Sequence, residues 1–92
     1  MTTETMSRHI GEINEVYLQS LPVSGRYRIF IRVYLETLKK IVLITPEEAT
    51  RETLISKYGL LDSAFKNIMS GIEAKRCVLR YNNEIYFFEG YI

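Results

Sequence analysis

Residues 25–42, GRYRIFIRVYLETLKKIV, decide the fold, because two different periods fit them. Read in twos, Tyr27, Ile29, Ile31, Val33 and Leu35 alternate with Arg26, Arg28, Arg32 and Glu36, as in a half-buried strand. Read at helical spacing, Tyr27, Phe30, Ile31, Tyr34, Leu38, Ile41 and Val42 form one face, and Arg28, Arg32, Glu36 and Lys39 form the other. The helical period also sets Arg32 four residues before Glu36 and Glu36 four before Lys40, and it accounts for a long run with no turn signal. The expectation is therefore a helix over 25–42, capped by Ser24, with Leu43-Ile44-Thr45 leading out as a short extended piece.

On the N-terminal side, Met6, Ile10, Ile13, Val16, Tyr17 and Leu21 recur at spacings of three and four, with Arg8, Glu12 and Glu15 between them. That pattern predicts an amphipathic helix over residues 3–21, ended by Leu21-Pro22 because a residue before proline leaves the helical region. On the C-terminal side, Thr45-Pro46-Glu47-Glu48 reads as a capping box, with proline at the first helical position and carboxylates at the positive end of the helix dipole. Leu54, Ile55 and Tyr58 supply that helix's inward face, Gly59 its left-handed stop, and Leu60-Leu61 a turn pinned to the core. A further helix from Ser63 to about Lys75 directs Leu61, Ala64, Phe65, Ile68, Met69 and Ile72 inward and Ser63, Lys66, Asn67, Ser70 and Ala74 outward, with Gly71 as its weak point. Arg76–Tyr81 and Glu84–Phe88 flank Asn82-Asn83, a hairpin that pairs Leu79 with Tyr86, Val78 with Phe87, Cys77 with Phe88 and Arg76 with Glu89. Both faces of this hairpin are apolar, so one of them needs a cover from the N-terminal helix or a partner chain.

Composition bounds the rest. The chain has 92 residues, 47% of them hydrophobic, which suits one domain over 1–92. Twelve basic against eleven acidic residues leave a net charge of +1, without the strong positive field of a highly charged nucleic-acid binder. A single cysteine, Cys77, excludes an internal disulfide and reads as a small core residue. One histidine, His9, and one cysteine do not make a four-ligand zinc site, so no metal or cofactor is expected. There is no Gly-rich phosphate loop and no nucleophile–base arrangement, so no catalytic residue is assigned and the chain is not expected to be an enzyme. The polar opening, with Glu4 and Arg8, and the short apolar runs point to a cytoplasmic protein with no membrane span.

The order helix, extended piece, helix, Gly59 turn, helix, Asn82-Asn83 hairpin resembles the winged helix-turn-helix superfamily over residues 25–92. The resemblance implies an α+β fold with an additional N-terminal helix and a hairpin wing. It also implies duplex DNA as the partner, with Ser63, Lys66, Asn67 and Ser70 facing the major groove and Lys75, Arg76 and Arg80 near phosphates. Arg28, Arg32, Lys39 and Lys40, together with Arg26, form a possible second basic surface. The resulting expectation is a small viral or prokaryotic transcriptional regulator acting as a homodimer through the N-terminal helix and the hairpin. The alternative is an adaptor or inhibitor that binds another protein through an apolar hairpin surface.

Overall fold

The computed structural model describes residues 7–92 and is built mainly of antiparallel strands. In chain order it has β1 (Ser7–Leu21), β2 (Arg26–Leu35), β3 (Lys40–Leu43), β4 (Glu47–Ala49), α1 (Arg51–Tyr58), a 3-10 turn (Asp62–Lys66), β5 (Arg76–Asn82) and β6 (Ile85–Tyr91). The strands lie in the order β3-β2-β1-β5-β6, and β4 continues beyond β3 along the same edge of β2. Three meandering strands and a fourth that returns by a long connection to lie beside the first make a Greek key. The sheet curls until its ends meet where the Thr45 N–H, just past β3, donates to the Tyr86 carbonyl of β6 (2.9 Å), and the Tyr91 hydroxyl ties β6 to the end of α1 through the Tyr58 carbonyl (2.6 Å). The result is a partly open barrel.

β1 belongs to two ladders. From Gly11 to Leu21 it pairs with β2, and from Ser7 to Glu12 it pairs with β5. A register shift between Ile13 and Glu15 inserts one extra residue, and the bulged strand bends there. Ile13 is held at the bend from the other side, donating to the Lys75 carbonyl (2.9 Å) and accepting from the Ala74 N–H (2.8 Å). Just before the bend, Gly11 lets the strands approach: a β-carbon there would lie 2.9 Å from the Tyr34 carbonyl oxygen and run into the Val33 side chain.

The core is the inner lining of this barrel. Ile29, Ile31, Val33 and Leu35 enter it from β2, Ile13 and Leu18 from β1, Cys77 and Leu79 from β5, and Leu54 and Tyr58 from α1. Tyr58 also stacks near Phe88, with ring centroids 4.9 Å apart.

The α+β winged helix-turn-helix is therefore not the fold. β2 and β3 replace the helix over 25–42, because Ile29, Ile31, Val33 and Leu35 find a core on one side only when the period is two. β1 replaces the N-terminal helix over 3–21; residues 3–6 of that expectation lie outside the described residues. Thr45-Pro46-Glu47-Glu48 does not start a helix. The Thr45 N–H is taken by β6 and Glu47–Ala49 pairs with β2, so α1 starts later, capped by Thr50, whose hydroxyl accepts from the Thr53 N–H (3.3 Å). Gly59 does stop α1, in the left-handed region at φ 72°.

The helix over Ser63 to Lys75 is only the 3-10 turn. Asn67 at φ 53°, Gly71 at φ 84° and Ala74 at φ 69° break any continuation. Consequently Leu61, Ile68 and Met69 are exposed instead of packed, whereas Ser70 is buried. The hairpin is present, but its turn falls on Asn83-Glu84, both at positive φ, and it pairs Leu79 with Phe88 and Tyr81 with Tyr86. A slip of two residues keeps Leu79, Tyr86 and Phe88 on one face, but a further register shift between Val78 and Leu79 pairs Cys77 with Tyr91 and brings Tyr91 onto the core face as well.

Replacing Gly11 with alanine should force β1 and β2 apart at their crossing. The expected loss is about 1–3 kcal/mol of stability, read as a lower urea midpoint at unchanged slope.

Candidate functional site

The outward residues of β1, β2 and β3 form the most distinctive surface. The alternation that buries Ile29, Ile31, Val33 and Leu35 turns Arg26, Arg28, Phe30, Arg32 and Tyr34 outward along one line of β2. Registers on both sides complete rows across the sheet. Tyr17 lies opposite Phe30, with ring centroids 6.0 Å apart. Next to that pair, Glu15, Arg32 and Leu43 make one row, and Glu12, Tyr34 and Ile41 make the following one. On the other side Gln19, Arg28 and Glu48 form the row. A depression of about 470 Å³ lies over Glu15, Tyr17, Gln19, Phe30, Arg32 and Leu43.

The charges on this face are mostly paired. Arg28 bonds Glu48, and Arg32 stands 3.7 Å from Glu15. Such exposed pairs contribute little stability. Arg26, at the end of the line, has no ion-pair partner among the described residues. Chemically the face offers flat aromatic surface, planar donors that suit oxyanions, and a groove open to solvent. It offers no nucleophile with a base.

The residues assigned from sequence are dispersed. Ser63 donates to the Met69 carbonyl (2.6 Å), and Lys66 ends the 3-10 turn with its side chain in solvent. Asn67 acts as a structural bracket, accepting from the Leu18 N–H (3.1 Å) and donating to the Leu18 carbonyl (3.2 Å). The Ser70 hydroxyl accepts from the Ile72 N–H (3.3 Å), and its hydrogen bond holds the Glu73 carboxyl below the usual range. These four lie in and just after the 3-10 turn, which Asn67 ties to the barrel at Leu18, and not on a helix that could enter a groove.

Lys75 lies over Tyr91, and Arg80 lies over Phe87. Arg76 forms a fork on Glu36 (2.9 and 3.1 Å), which lowers the Glu36 carboxyl and raises the guanidinium. Of the second basic surface, Arg28 and Arg32 come together on the outer face, whereas Lys39 and Lys40 sit at the β2–β3 turn. The helical period instead puts Tyr17 and Phe30, the centre of the face, on the apolar sides of two helices. Their signal was available, since Phe30 and Tyr34 share the parity of Arg28 and Arg32.

A second cleft of about 290 Å³ lies at the barrel seam between Ile44–Glu47, Lys57-Tyr58 and Phe87-Phe88. Its titratable groups are mutually satisfied. Tyr58 donates to Glu47 Oε1 (2.6 Å), and Lys57 Nζ donates to the same oxygen (2.9 Å). Burial pushes the Glu47 carboxyl up, but the phenol and the ammonium outweigh it and hold the carboxyl below its usual value. Burial and the neighbouring carboxylate raise the Tyr58 phenol far above its ordinary range. This cluster is a lock between β4 and α1. Among the described residues, no group of acidic, histidine and cysteine side chains could hold a metal ion, and no helix is long and apolar enough to cross a membrane.

Compared with known proteins, the chain matches no family model, no curated protein and no solved structure.

The lock sets a pH window. Glu47 has a lowered pKa, so its contribution is present above the ordinary carboxylate value of 4.5 and lost as pH falls through the folded value. Tyr58 has a raised pKa, so its contribution is present below the ordinary phenol value of 10.0 and lost as pH rises past it. Buried Cys77, pushed up to about 11 from 9.0, and Tyr91, pushed up to about 12, add to the alkaline loss. Thermal midpoints should therefore be flat from about pH 5 to pH 9 and fall on either side. Tyr58→Phe should cost about 1–2 kcal/mol at neutral pH and shallow the alkaline fall without abolishing it, which a pH series of melting curves would show.

Proposed function

We propose that this chain is a non-enzymatic binding protein that holds single-stranded nucleic acid on the outer face of β1, β2 and β3. The observation that carries the reading is the line Arg26, Arg28, Phe30, Arg32, Tyr34 on β2 with Tyr17 beside Phe30. Unpaired bases stack on aromatic rings at about 1–3 kcal/mol per base, and guanidinium groups between the rings meet the phosphates. A duplex hides its base faces, so the same rings favour a single strand. Partly open five-stranded Greek-key barrels of the OB type use the strand 2–3 face for oligonucleotides, and the connectivity of this chain is of that kind. That likeness is an analogy of architecture; the reading rests on the residues.

Glu15 and Glu48 temper the affinity. A phosphate must take Arg32 and Arg28 from carboxylates already paired to them, so binding should be modest and strongly salt-dependent. The same charge balance favours a second reading. Glu12, Glu15 and Glu48 offset Arg26, Arg28 and Arg32, and a near-neutral face rich in Tyr, Phe, Ile and Leu also suits a protein partner.

Fluorescence anisotropy with a labelled oligothymidylate of about 15 nucleotides, longer than most single-domain sites, tests the proposal. Binding should be micromolar at low salt and weaker for the matching duplex. Phe30→Ala and Tyr17→Ala should each weaken it by about 5- to 100-fold, while Lys66→Ala leaves it unchanged. Absence of binding to any single strand at low salt would overturn the nucleic-acid reading and leave the protein-docking one.

A further inference from the structure

The edge of β3 is unpaired where it could have been closed. The outer strands of the sheet are β3 and β6, and among the described residues the backbone hydrogen bond that joins their edges is the one from Thr45, just past β3, to Tyr86. Before that point, residues 40–44 have β2 on one side and, among the described residues, no strand on the other. An open groove of about 290 Å³ runs there over Arg32, Ile41, Val42 and Leu43. Ile41 and Leu43 stand 51% and 46% exposed, on an edge of the kind that proteins usually shield with charge, proline or a cover.

The directions of the free groups follow from two hydrogen bonds. The Ile44 N–H donates inward to the Ile31 carbonyl, and the Thr45 N–H donates outward to Tyr86. Alternation along an antiparallel ladder then turns the N–H and C=O of Lys40, Val42 and Ile44 toward β2 and those of Ile41 and Leu43 away from it. The usable window is bounded on both sides. Lys39 leaves the strand at φ 55°, the Thr45 N–H is occupied, and Pro46 has no N–H.

We infer that this edge pairs with a second copy of the chain, as a two-fold antiparallel β3–β3 ladder centred on Val42. In that register Ile41 faces Leu43 of the second copy in both directions, and all four outward backbone groups of each copy are satisfied. Val42 faces its own equivalent as the non-hydrogen-bonded pair. A register centred on Ile41 would drive Leu43 against the turn residue Lys39, and one centred on Leu43 would require the occupied Thr45 N–H.

Charge selects the antiparallel sense. Lys39 and Lys40, which have no ion-pair partner among the described residues, stand at the start of the strand, and Glu47 and Glu48, bound to Lys57 and Arg28 but still part-exposed, follow it. Antiparallel pairing brings each cationic end toward the acidic end of the other copy, whereas parallel pairing would set lysines against lysines. Four main-chain bonds and two Ile–Leu contacts bury less than a standard interface, so the association is weak and reversible. The dimer would run the outer faces of two barrels into one surface. It is independent of what that surface binds.

Analytical ultracentrifugation without nucleic acid tests it. Wild type should show a monomer–dimer equilibrium with a dissociation constant of roughly 10–100 µM. Ile41→Pro removes only an outward N–H, so it should keep the melting temperature near wild type and weaken dimerisation at least about tenfold. The double change Lys39→Glu with Lys40→Glu should weaken it at low salt. On mild oxidation Val42→Cys should cross-link two chains, because non-hydrogen-bonded partners approach closely, while Ile41→Cys and wild type, whose one thiol is buried, should not. A monomer at about 500 µM, dimerisation unchanged by Ile41→Pro in a folded protein, or a cross-link at position 41 in preference to 42 would each overturn the inference.

Discussion

One strand carrying two ladders is the constraint on which this structure depends. β1 gives its first half to β5 and its second half to β2, and the halves overlap only at Gly11 and Glu12. A flat strand cannot serve sheets that turn away from each other, so the chain bends at the bulge between Ile13 and Glu15 and sheds a side chain at Gly11. Lys75 and Ala74 then bond Ile13 and anchor the start of β5 at the bend. From this follow the curl of the sheet, the meeting of Thr45 with Tyr86 at its ends, and a core lined by both halves.

The same bend determines what faces outward. Beyond the bulge the parity of β1 reverses, so Tyr17 turns to solvent beside Phe30 while Val16 and Leu18 turn inward. Without the extra residue Tyr17 would point into the barrel and the outer face would lose its aromatic pair. The cations separate into roles by position. Arg76 is spent on Glu36, and Lys57 on Glu47, both joining elements of the fold. Arg28 and Arg32 are held loosely by exposed carboxylates, where a ligand can compete for them.

Several features were legible in the residues alone. Gly59 stops a helix wherever the chain puts one, because a left-handed residue without a β-carbon costs little. The apolar runs around Asn82-Asn83 make a hairpin, and a slip of two in its register leaves Leu79, Tyr86 and Phe88 on one face, while the shift between Val78 and Leu79 carries Tyr91 across the sheet to oppose Cys77. Cys77 is buried as its size and polarity suggest. The N-terminal reading failed for a specific reason. Ile13 and Val16 are both inward residues of a bulged strand, and the inserted residue spaces them by three, which imitates a helical turn. Thr45-Pro46-Glu47-Glu48 failed because a capping box is a local preference of about 1 kcal/mol, while the backbone there makes bonds to β6 and β2.

What the sequence by itself determined is the set of side chains that must be hidden and the residues at which the chain can turn, since hydrophobicity and left-handed tolerance are properties of single residues. Whether residues 25–42 took a period of two or of 3.6 was decided only in the folded barrel. Either period gives that segment an apolar face, and only neighbours on both sides of β2 satisfy the backbone of an extended strand. The grouping of Tyr17, Phe30, Arg28 and Arg32 on one surface belongs to that second category, because it exists only once β1 is bent and paired.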